Sequence, residues 1–116
     1  MSIVEQKSFV GAITPFNRLD DECLEKLCEA LDVSYFKEDE VVLKSGEKPE
    51  FLYFVIKGVV QEIHQSEIVS VYVRHQYFDP KSLIENNLKH DFIAKEEVLC
   101  YTLPRELFLD TMYQNE

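Results

Sequence analysis

Several features are missing from this chain, and each absence removes a class of function. No apolar run approaches the ~20 residues that a membrane-spanning helix needs. The N-terminal MSIVEQKSFVGAI lacks the basic start and unbroken apolar stretch of a secretion signal. Basic residues are few: 12 Lys and Arg stand against 22 Asp and Glu, a net charge of −10. Nucleic acid and anionic lipid both need a basic stripe, so neither is an expected partner. The three cysteines cannot all pair within one chain. Cys23, Cys28 and Cys100 occupy apolar-looking positions and read as buried reduced thiols, which places the protein in the cytoplasm. There are no internal repeats, low-complexity tracts or linkers. The remainder, 116 residues with 46% hydrophobic content, suffices for one folded domain with a single modest core.

Two periodicities alternate along the chain. Residues 1–13 show no clear period and read as a short helix or packing arm. Asp20, Asp21 and Glu22 place acid where a helix N-terminus favours it. Leu24, Leu27, Cys28 and Leu31 then follow i, i+3, i+4, i+7, an amphipathic helix with Glu25, Lys26 and Glu29 facing water. From Val33 the period becomes that of strands: 33–36, 41–44, 51–56, 59–65, 68–74, 92–94 and 98–103, with turns between. Gly58 is expected at positive φ in the turn after Lys57. Pro104 opens a terminal helix in which Leu107, Phe108, Thr111 and Met112 share a face. The expected fold is mainly β, an eight-stranded jelly-roll with flanking N- and C-terminal helices. A helix running to Glu116 with no C-cap glycine suggests a piece of a longer protein.

The strand pattern breaks between His75 and Ala94. Asp79-Pro80 is a helix-start signal, because Asp caps exposed N–H groups and Pro suits the first helical position. About two turns, Ser82 to Asn86, can follow. Ser82 and Glu85 have capping-box spacing, a competing arrangement for the same helix start. A short helix that interrupts a sheet can aim backbone N–H groups at a ligand. Charge agrees: residues 74–95 sum to +1 and the rest of the chain to −11. A small anion is therefore the expected ligand, and Lys81 and Lys89 are the best cationic contacts.

This order of elements resembles the cyclic-nucleotide-binding domain family over Phe16 to Met112. PFNRLDDECLEKLCEAL is similar to the family's opening helix. Gly46 and the run FLYFVIKG ending at Gly58 are similar to its loop, strand and tight turn. YFDPKSL, Tyr77 to Leu83, resembles the start of its phosphate-binding cassette. The resemblance implies a cassette that opens with Gly-Glu after the Phe, then a small residue and a later Arg. The Glu would contact the ribose hydroxyl, and the Arg and helix N–H groups the cyclic phosphate. Here Asp79 stands at the Gly position, Pro80 at the Glu and Ser82 at the small residue. The Arg position falls at Leu88 or, with a slip of one, at Lys89. Losing both anchors costs about 3–6 kcal/mol, or two to four decades of affinity. Asp79 would itself cap the helix and repel an incoming phosphate. Glu96 to Phe108, with this divergent cassette, resembles N-terminal modules of bacterial signalling proteins in which paired CBS domains and a nucleotidyltransferase domain follow.

The expectations are therefore specific. The candidate pocket comprises Phe78, Asp79, Pro80, Lys81, Ser82, Leu83, Leu88 and Lys89. The function is regulatory ligand sensing or docking, without catalysis, with weakened or altered nucleotide binding. The alternatives are a working cAMP or cGMP receptor and, more distantly, a cupin-like metal enzyme. The cupin lacks support, because His64, His75 and His90 are widely separated and no His-X-His occurs. No cofactor is expected. Phe108, Leu109, Met112 and Tyr113 supply more apolar surface than one helix face can bury, which calls for a downstream domain or a homodimer through the C-terminal helix.

Overall fold

A computed structural model describes residues 2–114. The helices are α1 (Ile3–Val10), α2 (Asp21–Glu29), α3 (Pro80–Glu85) and α4 (Arg105–Gln114), with a 3-10 turn at Phe16–Arg18. The strands are β1 (Asp32–Phe36), β2 (Val41–Leu43), β3 (Phe51–Lys57), β4 (Val60–His64), β5 (Glu67–Tyr72), β6 (Tyr77–Phe78), β7 (Asp91–Ala94) and β8 (Val98–Pro104). They form two antiparallel four-stranded sheets, ordered β1-β8-β3-β6 and β2-β7-β4-β5. The expected mainly-β roll of eight strands with helices at both ends is the fold observed.

Burial explains the layering. Residues 52–56 of β3 are buried on both faces of the strand. Leu52, Phe54 and Ile56 pack with Phe9, Val10, Phe16, Leu27 and Phe108 from the helical layer. Tyr53 and Val55 face the other sheet and meet Val60, Phe78, Leu88 and Phe92. β8 divides in the same way, with Tyr101 and Leu103 toward the helices and Val98 and Cys100 between the sheets. The first sheet is thus the middle layer, and this is why its two central strands read as continuous apolar runs. Caps set the helix starts. The Asp20 carboxylate accepts from Cys23 N at 2.8 Å, and Ser2 Oγ accepts from Glu5 N at 3.2 Å.

Gly58 takes φ 99°, and a Cβ there would lie 2.3 Å from the Glu97 carbonyl oxygen. The turn therefore requires glycine on two counts, backbone and space.

Several boundaries differ from expectation. α2 stops at Glu29, and Leu31 is buried just beyond it. The β4–β5 turn falls on Gln65-Ser66, both at positive φ (51° and 66°), one residue earlier than expected. β5 ends at Tyr72, where the chain turns and Val73 N donates to Gln76 Oε1 at 2.8 Å. Tyr77–Phe78 is a strand the pattern did not reveal; pairing with β3 at Tyr53 and Phe54 creates it. Pro104 closes β8, and α4 begins at Arg105. Cys28 and Cys100 are buried, but Cys23 is only half-buried; none forms a disulfide. The expected helix end at Glu116 lies outside the described residues. No helix among them is long and apolar enough to cross a membrane.

Candidate functional site

Chain direction reverses between β6 and β7, and α3 occupies the reversal. Asp79 begins it. Its backbone is left-handed, φ 54° and ψ 51°, where an N-cap is ordinarily extended. Its carboxylate accepts from Ser82 N at 3.3 Å and also from the Ser82 hydroxyl. The Asp79 cap is the one that forms: Ser82 spends its hydroxyl on Asp79 instead of capping with Glu85. Pro80 follows at the first helical position and has no N–H. The start of α3 therefore offers an incoming anion few donors. At the other end Asn86 is also left-handed, φ 56°, and its N–H closes on Ser82 O.

The remaining candidate residues divide by depth. Phe78 and Leu88 are buried between the two sheets, and Leu83 is buried against the helical layer. Phe78 is stacked on Tyr53 (5.5 Å between centroids, 7°) and on Phe92 (4.9 Å, 18°). Tyr72 leans on both Phe78 and Phe92. This aromatic column fills the space behind the cassette. Ser82 is buried, and Pro80 is half-buried. Lys81 and Lys89 are exposed, and Lys89 Nζ sits 3.5 Å from Glu85 Oε2. Its charge is thus shared with a neighbour one turn away before any ligand arrives.

One loop and the start of α4 hold the cassette in place. Gly46 N donates to Leu88 O at 2.9 Å. Ser45 N donates to Asp91 Oδ1 at 2.7 Å, and Ser45 Oγ to Lys89 O at 3.1 Å. From the other side Arg105 Nε, at the start of α4, donates to Leu83 O at 2.8 Å. The other arginines are placed elsewhere. Arg74 donates to Ile56 O at 2.8 Å and lies over the Phe9 ring, and Arg18 is exposed on the 3-10 turn.

The sequence reading missed a polar cluster on the second sheet. Glu62 accepts from Tyr72 Oη at 2.7 Å and pairs with His90 Nδ1 at 2.5 Å. The His64 and His90 rings are 4.5 Å apart. Burial, then the Glu62 bond, with the Asp79 charge contributing, pushes the Tyr72 phenol up to about 12. Burial pushes Tyr53 to about 12 as well. The signal was available: strand alternation puts Val60, Glu62 and His64 on one face, and Val60 is an obvious core residue. His75 stands apart, stacked on Phe9 at 4.5 Å. No group of three or more His, Cys, Asp or Glu among the described residues is placed to hold a metal ion.

An apolar groove of about 350 Å³ lies beside α3, lined by Phe16, Tyr77, Pro80, Ile84, Met112 and Tyr113 among others. Phe108 is buried in the core, whereas Tyr113 is 62% exposed. The terminal helix thus keeps an apolar margin facing this groove.

The family model for the cyclic nucleotide-binding domain matches residues 33–115. The chain belongs to that family. Among curated proteins it is 26% identical to cGMP-dependent protein kinase 2 of Mus musculus, over 93% of this chain and 15% of the kinase. It therefore spans about 15% of the length of the curated relatives matched first. Solved structures share the fold. The sensor domain of the transcriptional regulator DNR from Pseudomonas aeruginosa superposes with a TM-score of 0.90 at 17% identity, over 97% of this chain and 80% of that one. The regulatory subunit of a cAMP-independent protein kinase A from Trypanosoma cruzi, bound to guanosine, gives 0.86 at 20% identity, over 97% and 44%. Within this family's domain, Asp79 stands where the resemblance implied glycine. Its positive φ gives that position a physical meaning, since glycine reaches left-handed backbone freely and Asp is among the few substitutes that tolerate it.

Proposed function

We propose that this cyclic nucleotide-binding domain is a regulatory, non-catalytic module whose ligand preference has moved away from the cyclic phosphate. One observation carries the reading: the Asp79 carboxylate occupies the start of α3 and takes both donors of Ser82. Pro80 removes a further N–H, and the Lys89 charge is shared with Glu85. A phosphate arriving here meets a fixed negative charge and no guanidinium clamp. An uncharged nucleoside meets neither penalty, and the guanosine-bound trypanosomal relative offers a precedent for that ligand class. If an anion does bind, Lys81 and Lys89 are its proposed contacts, with the α3 backbone and Ser82 positioning it. Phe78, Leu83 and Leu88 form the wall behind.

We further assign the groove beside α4 to a neighbouring domain of a longer cytoplasmic signalling protein. The residues Glu96 to Phe108 support a bacterial architecture with CBS and nucleotidyltransferase domains. The terminal helix is then the element through which ligand state reaches the rest of the protein. The competing reading, a working cAMP or cGMP receptor, draws support from family membership and from a cAMP-bound relative.

A thermal-shift panel separates these readings. The chain is heated with millimolar cAMP, cGMP, AMP, ATP, adenosine or guanosine. A ligand at 100 times its dissociation constant stabilises by about 2.7 kcal/mol, an upward shift of several degrees. The expected result is little shift with cAMP or cGMP and the larger shift with a nucleoside. A large cyclic-nucleotide shift, confirmed by micromolar calorimetric titration, supports the receptor reading instead. A flat panel leaves docking as the role.

A further inference from the structure

A cavity of about 490 Å³ between α1 and the turn before β6 carries charges of both signs. From α1 it takes Val4, Glu5, Ser8 and Phe9, an i, i+1, i+4, i+5 set that shares one helix face. Arg74 and His75 supply the other polar part of its lining. Arg74 is fixed in place: Nη1 donates to Ile56 O at 2.8 Å, and the guanidinium carbon stands 5.4 Å from the centroid of the Phe9 ring. That bond uses one of several N–H donors, and no carboxylate among the described residues forms an ion pair with Arg74. The His75 N–H donates to Val55 O at 3.0 Å, and the His75 ring is stacked on Phe9. Glu5 accepts from Ser2 Oγ at 3.3 Å and has no Lys, Arg or His partner among the described residues. Arg74 and Glu5 therefore share a cavity without pairing with each other. Both charges reach one phenol: burial raises Tyr101 above its ordinary value, Glu5 and Cys28 add to this, and Arg74 opposes them.

We infer that this cavity binds a free α-amino acid with a large apolar side chain, its carboxylate on Arg74 and its ammonium on Glu5. Charge selects the class. A phosphate monoester meets the Glu5 carboxylate and the field of a chain at net charge −10. A simple amine satisfies Glu5 but sets a second cation beside Arg74. A zwitterion brings a partner for each charge and adds no net charge. With Nη1 engaged, the Nε and Nη2 edge of the guanidinium can take a carboxylate in two parallel bonds. Ser8 lies three residues beyond Glu5 on α1, so its hydroxyl belongs to the ammonium end. The ligand's side chain covers Val4, which is 72% exposed, and the apolar wall of Phe9 and Ile56. The volume lies within the range of small-molecule sites and suits a large side chain better than a small one. A molecule this small, held by two charged contacts, dissociates at about 0.1–5 mM. No residue of this lining belongs to α3, α4 or the cassette, so the inference stands whatever ligand the cassette takes.

An amide-resolved NMR titration with L-phenylalanine, carried to about 50 mM, tests it. Saturable shifts are expected at the amides of Glu5, Ser8 and His75, with those of Asp79 to Lys89 unmoved. Phenylpropanoate lacks the ammonium and phenethylamine lacks the carboxylate, and each should bind about tenfold more weakly. Glu5→Gln, at an exposed position, should weaken phenylalanine about fivefold and leave phenylpropanoate bound no less tightly. Arg74→Gln should weaken phenylalanine and phenylpropanoate and leave phenethylamine bound no less tightly. Arg74→Lys serves if the Gln variant melts abnormally early: it keeps the charge, loses the fork and should weaken phenylalanine about threefold. That crossing of ligand with variant reports which charge meets which group, and a merely structural role for either residue would not produce it. Shifts that stay linear to the highest concentration overturn the inference. So do shifts centred on Asp79 to Lys89, analogues that bind as well as phenylalanine, and variants whose effects do not cross.

Discussion

Arg105 Nε donates to the carbonyl of Leu83 at 2.8 Å, joining the start of the terminal helix to the second turn of the cassette helix. Leu83 is buried in the same core cluster as Phe108, so one bond and one apolar contact tie α3 to α4. Motion of the cassette cannot leave α4 unaffected while both persist. Replacing Arg105 with Ala removes a charge-assisted bond to a half-buried carbonyl and should cost about 1–2 kcal/mol. The melting temperature should fall by about 3–8 °C. Hydrogen exchange gives the sharper readout: amides of α3 should exchange faster, while those of β3 and β8 keep their protection. Uniform loss of protection would mean that the bond is merely one support among many.

Asp79 combines two roles that substitution can separate. Asp79→Gly keeps the left-handed backbone and loses the cap, for a cost of about 0.3 kcal/mol. Asp79→Ala loses the cap and strains the backbone, adding about 1–2 kcal/mol more. Chemical denaturation should therefore rank wild type above Gly above Ala. The double change Asp79→Gly, Pro80→Glu rebuilds the Gly-Glu pair that the family resemblance implied. It should raise cAMP or cGMP affinity at least tenfold by calorimetry, because it removes the repelling carboxylate and returns an N–H to the helix start. Unchanged affinity would place the determinant elsewhere.

How much of this was legible in the sequence depended on whether the cause was local. β3 and β8 declared themselves through unbroken apolar runs, since both of their faces are covered. The Asp79 cap and Pro80 were readable because capping is set by a few adjacent residues. The left-handed turn at Gln65-Ser66 was not, because neither residue is Gly, Asn or Asp; strand pairing imposes it. β6 was hidden for the same reason, as two residues become a strand only when β3 lies alongside. Arg105 and Leu83 are 22 residues apart, and Glu62 and His90 are 28, so only the folded chain brings these partners together. The loop-helix reversal around Asp79-Pro80 was readable as a chain feature, whereas the depth of Phe78, Leu83 and Leu88 followed from packing between layers.

The two left-handed glycines make a controlled pair. At Gly58 a new Cβ would press on the Glu97 carbonyl at 2.3 Å and on Val98 Cγ2 at 2.9 Å. At Gly46, φ 92°, nothing lies within 4 Å of the same atom. Gly46→Ala should therefore cost only the backbone strain, about 1–2 kcal/mol. Gly58→Ala adds a clash with a main-chain carbonyl and should exceed about 3 kcal/mol, in the range of severe single mutations. Equal denaturation midpoints for the two variants would show that the 58–97 contact relaxes freely.

Alkaline stability should be governed by buried thiols and phenols. Burial pushes Cys28 up to about 11 from an ordinary 9.0, and Cys100 up to about 12. Burial likewise raises Tyr53 and Tyr72 from 10.0 to about 12. Each group keeps its proton longer folded than unfolded. The stability that this contributes is fully present below the unfolded values of 9–10 and is lost as pH climbs through the folded ones. Denaturation midpoints should thus fall progressively between about pH 9 and pH 12. Cys100→Ala keeps a small apolar group there, so its curve should fall less steeply over that window than that of the parent protein. Thiol labelling at pH 8 gives a matching check. Cys23, half-buried on α2, should react in the folded chain, whereas Cys28 and Cys100 should react only at the rate of unfolding. Rapid labelling of Cys100 in the native protein would show that the space between the sheets opens on its own, and the aromatic column around Phe78 would then be a mobile wall.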